Sequence, residues 1–177
     1  MKSILVLLVF SLIISSCSKS PKQDKNLPDE DDFKILHLDI ERSKTDTVIA
    51  RMQAFYKKFD LPATAAKLPD GHYFGESPYD DFQYRHLIRF DIEDGRFSNV
   101  QYDEVKINGS SKTADEEYCR KMNEHVPGSA PDITYDKYEK QVEQKQNLFE
   151  LDAISGATYS MYRLQLVAAK AIVDHTE

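Results

Sequence analysis

Strict alternation between residues 88 and 93 constrains this chain more than any other feature. Ile88, Phe90 and Ile92 are separated by Arg89, Asp91 and Glu93, so an extended strand here has one apolar face and one charged face. Asp94-Gly95 follows at once, a pair suited to the left-handed backbone of a two-residue hairpin turn. Phe97, Val100 and Tyr102 carry a returning strand, and Asn108-Gly109 marks the next turn. The alternating period begins at Gly71.

On both sides of this hairpin the period is helical. Residues 46–59 place Val48, Met52, Phe55 and Phe59 on one stripe, an amphipathic helix that packs on the domain. Pro62 ends it, and residues 61–69 connect it to the sheet. Beyond the hairpin, Thr113-Ala114-Asp115-Glu116 reads as a capping box opening a helix to about His125, which Pro127-Gly128 stops. A further helix covers about 135–147. The last, 159–173, has Tyr162, Leu166, Ala169, Ile172 and Val173 at helical spacing. The expected fold is therefore α+β, a single domain with a small antiparallel sheet and packed helices. There is no internal repeat.

The N-terminus has a different grammar. Lys2 precedes an apolar run from Ile4 to Ile14, and Ser15-Ser16-Cys17 follows. That is a signal-peptide pattern, and the run is too short for a permanent membrane span. Cys17 after the small residues resembles a bacterial lipobox. Residues 1–16 would then be removed and Cys17 acylated by chains such as palmitate; the alternative is a secreted chain cut near Ser16. Several acyl chains anchor a protein durably where one does not. Residues 17–32 read as the lipidated Cys and a disordered polar tether, residues 33–69 as the amphipathic helix and connector, and 70–177 as the functional domain.

With Cys17 acylated, Cys119 stands alone as a small buried hydrophobe, without a disulfide or thiolate metal site. Removing Lys2 with the signal leaves 22 basic against 30 acidic residues. That balance argues against nucleic acid as a partner.

Function is carried by Asp152-Ala153-Ile154-Ser155-Gly156-Ala157-Thr158, a side-chain-poor turn at the mouth of the last helix. First-turn amides and the positive end of the helix dipole suit an anion there. Alternatively, Ser155 or Thr158 is an ordinary N-cap. The pattern Asp-x-x-Ser-Gly-Ala-Thr resembles the flavinylation motif of the FMN-binding domain family, found in Na⁺-pumping NADH:quinone reductase and RNF complexes and in extracellular electron-transfer lipoproteins. Asp70-Gly71-His72-Tyr73-Phe74-Gly75 is similar to that family's opening strand, so the resemblance covers about residues 70–173.

The resemblance implies FMN as cofactor, joined by a phosphoester to Thr158 by a Mg²⁺-dependent flavin transferase that uses FAD. Asp152, Ser155, Gly156 and Ala157 would be the recognition frame. A flavin ring also needs aromatic walls. Tyr73, Tyr79, Phe82, Tyr84, Tyr135, Tyr138 and Tyr159 are the candidates, with Tyr159 and Tyr79, in the loop 77–82, preferred. One or two of them would touch the ring.

Other chemistries lack support. His37, His72, His86, His125 and His175 show no metal-ligand spacing, and Asp80-Asp81 reads as a solvated loop. No nucleophile elbow, P-loop or dinucleotide fingerprint occurs. The sequence thus points to an electron carrier rather than a stand-alone enzyme. It would sit lipid-anchored on the extracytoplasmic face of a bacterial cell envelope, between a membrane donor and an acceptor. The alternatives are a non-redox binding lipoprotein and a flavin-dependent reductase of a small molecule.

Overall fold

Asp94 and Gly95 both take positive φ, 51° and 69°, the twin left-handed geometry that matches a hairpin turn to strand twist. They join β2 (Tyr84–Glu93) to β3 (Arg96–Lys106), and β1 (Gly71–Glu76) pairs antiparallel with β2 on its other side, giving the order β1-β2-β3. The structure is a computed structural model and describes residues 27–175. The signal segment and Cys17 lie outside the described residues.

The three-residue step from Phe97 to Val100 breaks simple alternation, yet both side chains are buried. The register explains it. Arg89 pairs with Gln101 and Asp91 with Ser98, so Asn99 and Val100 together face Phe90. Asn99 is the bulge residue, at φ 50°, and its amide donates to Asp91 Oδ2 at 2.8 Å. One extra residue resets the phase and returns Val100, Tyr102 and Glu104 to the inner face.

The order along the chain is α1 (Glu30–Arg42), α2 (Thr45–Phe59), α3 (Leu61–Ala65), the three strands, α4 (Glu116–His125), α5 (Pro131–Lys145) and α6 (Thr158–Asp174). This is the expected α+β arrangement. α6 is apolar almost all round, with eleven buried residues. Such a helix needs cover on several sides, and it lies between β1 and β2 on one side and α1 and α3 on another. The closest approach is at Gly75, where a Cβ would sit 2.0 Å from the Val167 carbonyl oxygen. Only a residue without a side chain lets strand and helix meet so closely.

Three boundaries differ from the sequence reading. Residues 27–32, the end of the stretch expected to be tether, belong to the folded body. Asp29 caps α1 by accepting from the Asp32 amide at 2.9 Å, and Asp32 answers by accepting from the Asp29 amide at 3.3 Å. The acidic run is thus a helix start, where negative charge faces the positive dipole end, and Phe33, Leu36, His37 and Ile40 bury the stripe behind it. Residues 33–69 accordingly form most of three helices rather than one helix and a connector. The α4 cap is Asp115, accepting from the Tyr118 amide at 2.9 Å, not Thr113. α5 starts four residues early, with Pro131 in the first turn, where its missing N–H costs nothing.

α5 also closes the sheet. Glu139, Glu143 and Gln146 accept from the outward amides of Tyr102, Val100 and Phe97 at 2.8, 3.0 and 2.7 Å, and Gln146 donates back to the Phe97 carbonyl at 3.0 Å. Among the described residues, no helix is long and apolar enough to cross a membrane.

Candidate functional site

The entry to α6 is held by one hydroxyl from α5. Tyr138 Oη donates to the Ala157 carbonyl at 3.1 Å and accepts from the Ile154 amide at 2.9 Å. Ala157 N–H closes the turn on the Ile154 carbonyl at 2.9 Å. Gly156 has φ +80°, and a Cβ on it would lie 2.7 Å from Ser129 Cβ. The turn therefore requires glycine for both conformation and space.

Ala157 is the N-cap of α6, where Ser, Thr, Asp or Asn would ordinarily satisfy a first-turn amide. Neither Ser155 nor Thr158 takes that role. Among the described residues the amides of Thr158, Tyr159 and Ser160 find no acceptor, so the anion-binding capacity of this helix start is unspent there. Thr158 is the first helical residue and half-buried. Ser155 and Gly156 are exposed and Ala157 is buried.

Asp152 projects outward with its side chain 82% exposed, 2.8 Å from Lys145 Nζ. Its backbone is clamped by Gln141, which donates to the Asp152 carbonyl at 3.1 Å and accepts from its amide at 2.7 Å. The motif thus presents Asp152 and Ser155 to solvent on a rigid frame.

Beside the turn lies a cleft of about 90 Å³ whose walls include Lys112, Tyr118, Tyr135, Gly156, Ser160 and Arg163. Thr158 stands next to this cleft without lining it. A flavin-sized ligand fills roughly 300–1,000 Å³ when enclosed, so the cleft takes a small polar group and leaves a ring outside. Tyr135 Oη is buried there without a hydrogen-bond partner, and burial holds its pKa well above the usual tyrosine value.

The cleft floor is a charge network. Glu104 is fully buried and accepts from Lys112 Nζ at 2.5 Å, Ser160 Oγ at 3.2 Å and Tyr102 Oη at 3.3 Å. Burial works to raise its pKa, but Lys112, His86 and Arg163 outweigh this and hold the carboxyl at about 2. Arg163 makes a two-pronged pair with Glu41 of α1, at 2.8 and 2.9 Å, the geometry in which guanidinium and carboxylate bind best. Lys112 also lies over the rings of Tyr84 and Tyr118, at 4.8 and 5.1 Å. Each cation at the cleft already faces a carboxylate.

The two preferred aromatics differ in placement: the Tyr159 ring lines the cleft while its hydroxyl is engaged, and Tyr79 lies apart. Tyr159 Oη donates to the Ser43 carbonyl at 3.1 Å and lies 3.3 Å from Thr45 Oγ1, which ties α6 to the α1–α2 corner. Tyr79 sits by the Arg85 guanidinium, 5.7 Å from its ring centre, away from the cleft. Tyr73 stacks on Phe90 in the core, 5.1 Å between centres. Tyr118, Tyr135 and Tyr159 line the cleft beside the turn, and Tyr138 is bonded to the turn itself.

Lys112, Glu104 and Arg163 escaped the sequence reading because they meet only in three dimensions. Glu104 carried a signal, a carboxylate in phase with Tyr102 on the inner face. A second group was also missed. His86 has no exposed surface and neither ring nitrogen is hydrogen-bonded, with Glu41 and Asp80 nearby. An unpaired buried polar group costs about 1–3 kcal/mol, and burial lowers the His86 pKa to about 3.

Among solved structures, the CPE2226 protein from Clostridium perfringens, a structural genomics target, is similar to this chain. It is 29% identical with a TM-score of 0.56, over 62% of this chain and 89% of that one. No protein-family model and no curated protein matches the chain.

Proposed function

We propose that this chain is a lipid-anchored flavoprotein that carries FMN as a phosphoester on Thr158 and relays electrons outside the cytoplasmic membrane. The observation that carries the reading is the uncapped start of α6. Three first-turn amides without acceptors stand where the Asp152–Thr158 motif puts a hydroxyl. A phosphate there gains about 0.3–1 kcal/mol from the helix dipole, and up to about 2 in a partly buried setting.

The residues fit that group. Asp152 and Ser155 are exposed for a transferase to read, and Gln141 and Tyr138 hold the backbone between them in one shape. In attachment, Thr158 Oγ1 would form the new ester bond to the FMN phosphorus of FAD as AMP leaves with the old one. Bound FMN supplies the redox chemistry. The chain would contribute the Thr158 hydroxyl as the point of attachment and first-turn amide donors for the phosphate. Covalent attachment suits an exported carrier, because FMN that dissociated outside the cell would be lost. Acylated Cys17 would hold the carrier at the membrane.

The test is coexpression of the full chain with a flavin transferase, followed by acid precipitation and mass mapping. Thr158→Val, close in volume but without the oxygen, loses covalent FMN; Thr158→Ser keeps it in part. An adduct on Ser155 or Ser160, or one that persists in Thr158→Val, overturns the assignment. Colourless wild-type protein favours the binding lipoprotein instead.

A further inference from the structure

The geometry points to a second site, independent of the flavin reading, in which Glu41, Asp80 and His86 bind one divalent first-row transition cation. Glu41 comes from the last turn of α1, Asp80 from the β1–β2 loop and His86 from the start of β2. One ligand atom from each lies within 4.8 Å of the other two. Ligands 2.0–2.2 Å from a metal are about 3.4 Å apart in a tetrahedron and at most about 4.4 Å apart when trans, so closing the site takes a movement of roughly 0.5–1.5 Å shared among the three side chains.

The observation behind the inference is His86. Its side chain has no exposed surface, and both Nδ1 and Nε2 lack a hydrogen-bond partner. Buried polar groups are almost always satisfied, and an exception calls for a partner such as a water or an ion. Its Nδ1 is 3.9 Å from the Glu104 carboxylate, a placement that suits a carboxylate behind a ligating imidazole.

The carboxylates have capacity to spare. Asp80 Oδ1 accepts from the Phe82 and Tyr84 amides at 2.9 and 2.8 Å, while its Oδ2 makes no hydrogen bond among the described residues. Glu41 uses one lone pair of each oxygen on Arg163 and keeps the others. Arg163 opposes a cation, as does Lys112, but three carboxylates (Glu41, Asp80 and Glu104) face these two. His37 stands beside His86, 6.1 Å between ring centres, with its own Nδ1 unpartnered among the described residues, and lies outside the three-ligand group. An imidazole joined to carboxylates favours Zn²⁺ or its neighbours over Mg²⁺.

Full-length chain stripped with a chelator is titrated with Zn²⁺, with Mg²⁺ as control, by calorimetry and thermal shift. One Zn²⁺ binds per chain and raises Tm; Mg²⁺ does neither. Asp80→Asn keeps the loop's acceptor but loses the charge, and weakens Zn²⁺ at least about tenfold. His86→Ala abolishes binding; if it fails to fold, Asp80→Asn and the ring ¹⁵N shifts of His86 on adding Zn²⁺ decide. Absence of stoichiometric binding, or Asp80→Asn with undiminished affinity, or shifts confined to His72, His125 and His175, overturns the site.

Discussion

Replacing Gly75 by alanine tests how α6 is seated on the sheet. The new Cβ would lie 2.0 Å from the Val167 carbonyl oxygen, 2.9 Å from the Ala171 amide and 3.0 Å from Ala171 Cβ. Two of these three atoms are helix backbone, so no rotamer change relieves them. Restoring even 3.0 Å moves β1 and α6 apart by about 1 Å. A gap of 0.5–1 Å forfeits a quarter to a half of each contact, and a leucine-sized buried side chain makes 40–60 contacts of about 0.1–0.2 kcal/mol. With about half of those contacts crossing the gap, each large side chain between helix and sheet loses about 0.5–3 kcal/mol, or about 1–6 kcal/mol for two. Lower unfolded-state entropy returns only about 0.4–1 kcal/mol. Taken from the centre of that range, the net is about 3 kcal/mol, a Tm lower by roughly 6–12 °C for a chain of this size. Gly71→Ala is the control, since its Cβ would meet nothing nearer than 3.8 Å. Urea unfolding followed by circular dichroism measures both. If Gly75→Ala loses less than about 1 kcal/mol, or no more than Gly71→Ala, the packing argument is wrong.

Tyr138→Phe removes the hydroxyl that joins Ile154 to Ala157 and strands both backbone groups; it should cost about 1–3 kcal/mol and speed amide exchange at 154–160, with global stability from urea melts and local opening from hydrogen exchange. His72 donates to or accepts from Asp91 at 2.6 Å. This hydrogen bond, with the Asp91 charge, raises the His72 pKa above 6.5 and lowers that of Asp91 below 3.8. The pair's contribution is thus full between about pH 4 and 6.5, fading as pH rises through the His72 pKa or falls through that of Asp91. NMR titration should find His72 above 6.5 in the wild type and back near it in Asp91→Asn; an unmoved His72 refutes the pairing.

The hairpin was legible because its signals are local: alternation at 88–93 and Asp94-Gly95 between the strands. The same holds for α2 and α6, and for the turn 152–158. The bulge at Asn99 was written in the odd step from Phe97 to Val100, which only the pairing with Phe90 interprets. α1 was hidden because Asp29 and Asp32 look alike in a solvated tether and in a reciprocal cap; the difference is the stripe that begins at Phe33. The cleft and the His86 cluster were illegible for another reason. Glu41, Asp80, His86, Glu104, Lys112 and Arg163 come from six separate stretches, and no spacing rule spans them.

Glu139, Glu143 and Gln146 do for β3 what a neighbouring strand would do, which makes the order of synthesis matter. An uncovered edge strand invites pairing with another chain. The last residue of α5 leaves the ribosome about forty residues after β3 ends. At 5–20 residues per second that is about 2–8 s, during which the nascent sheet edge lacks its full set of three side-chain caps. A chain truncated before Pro131 would keep that edge open for good, and its fate would be set by concentration and by whatever binds unpaired strands first.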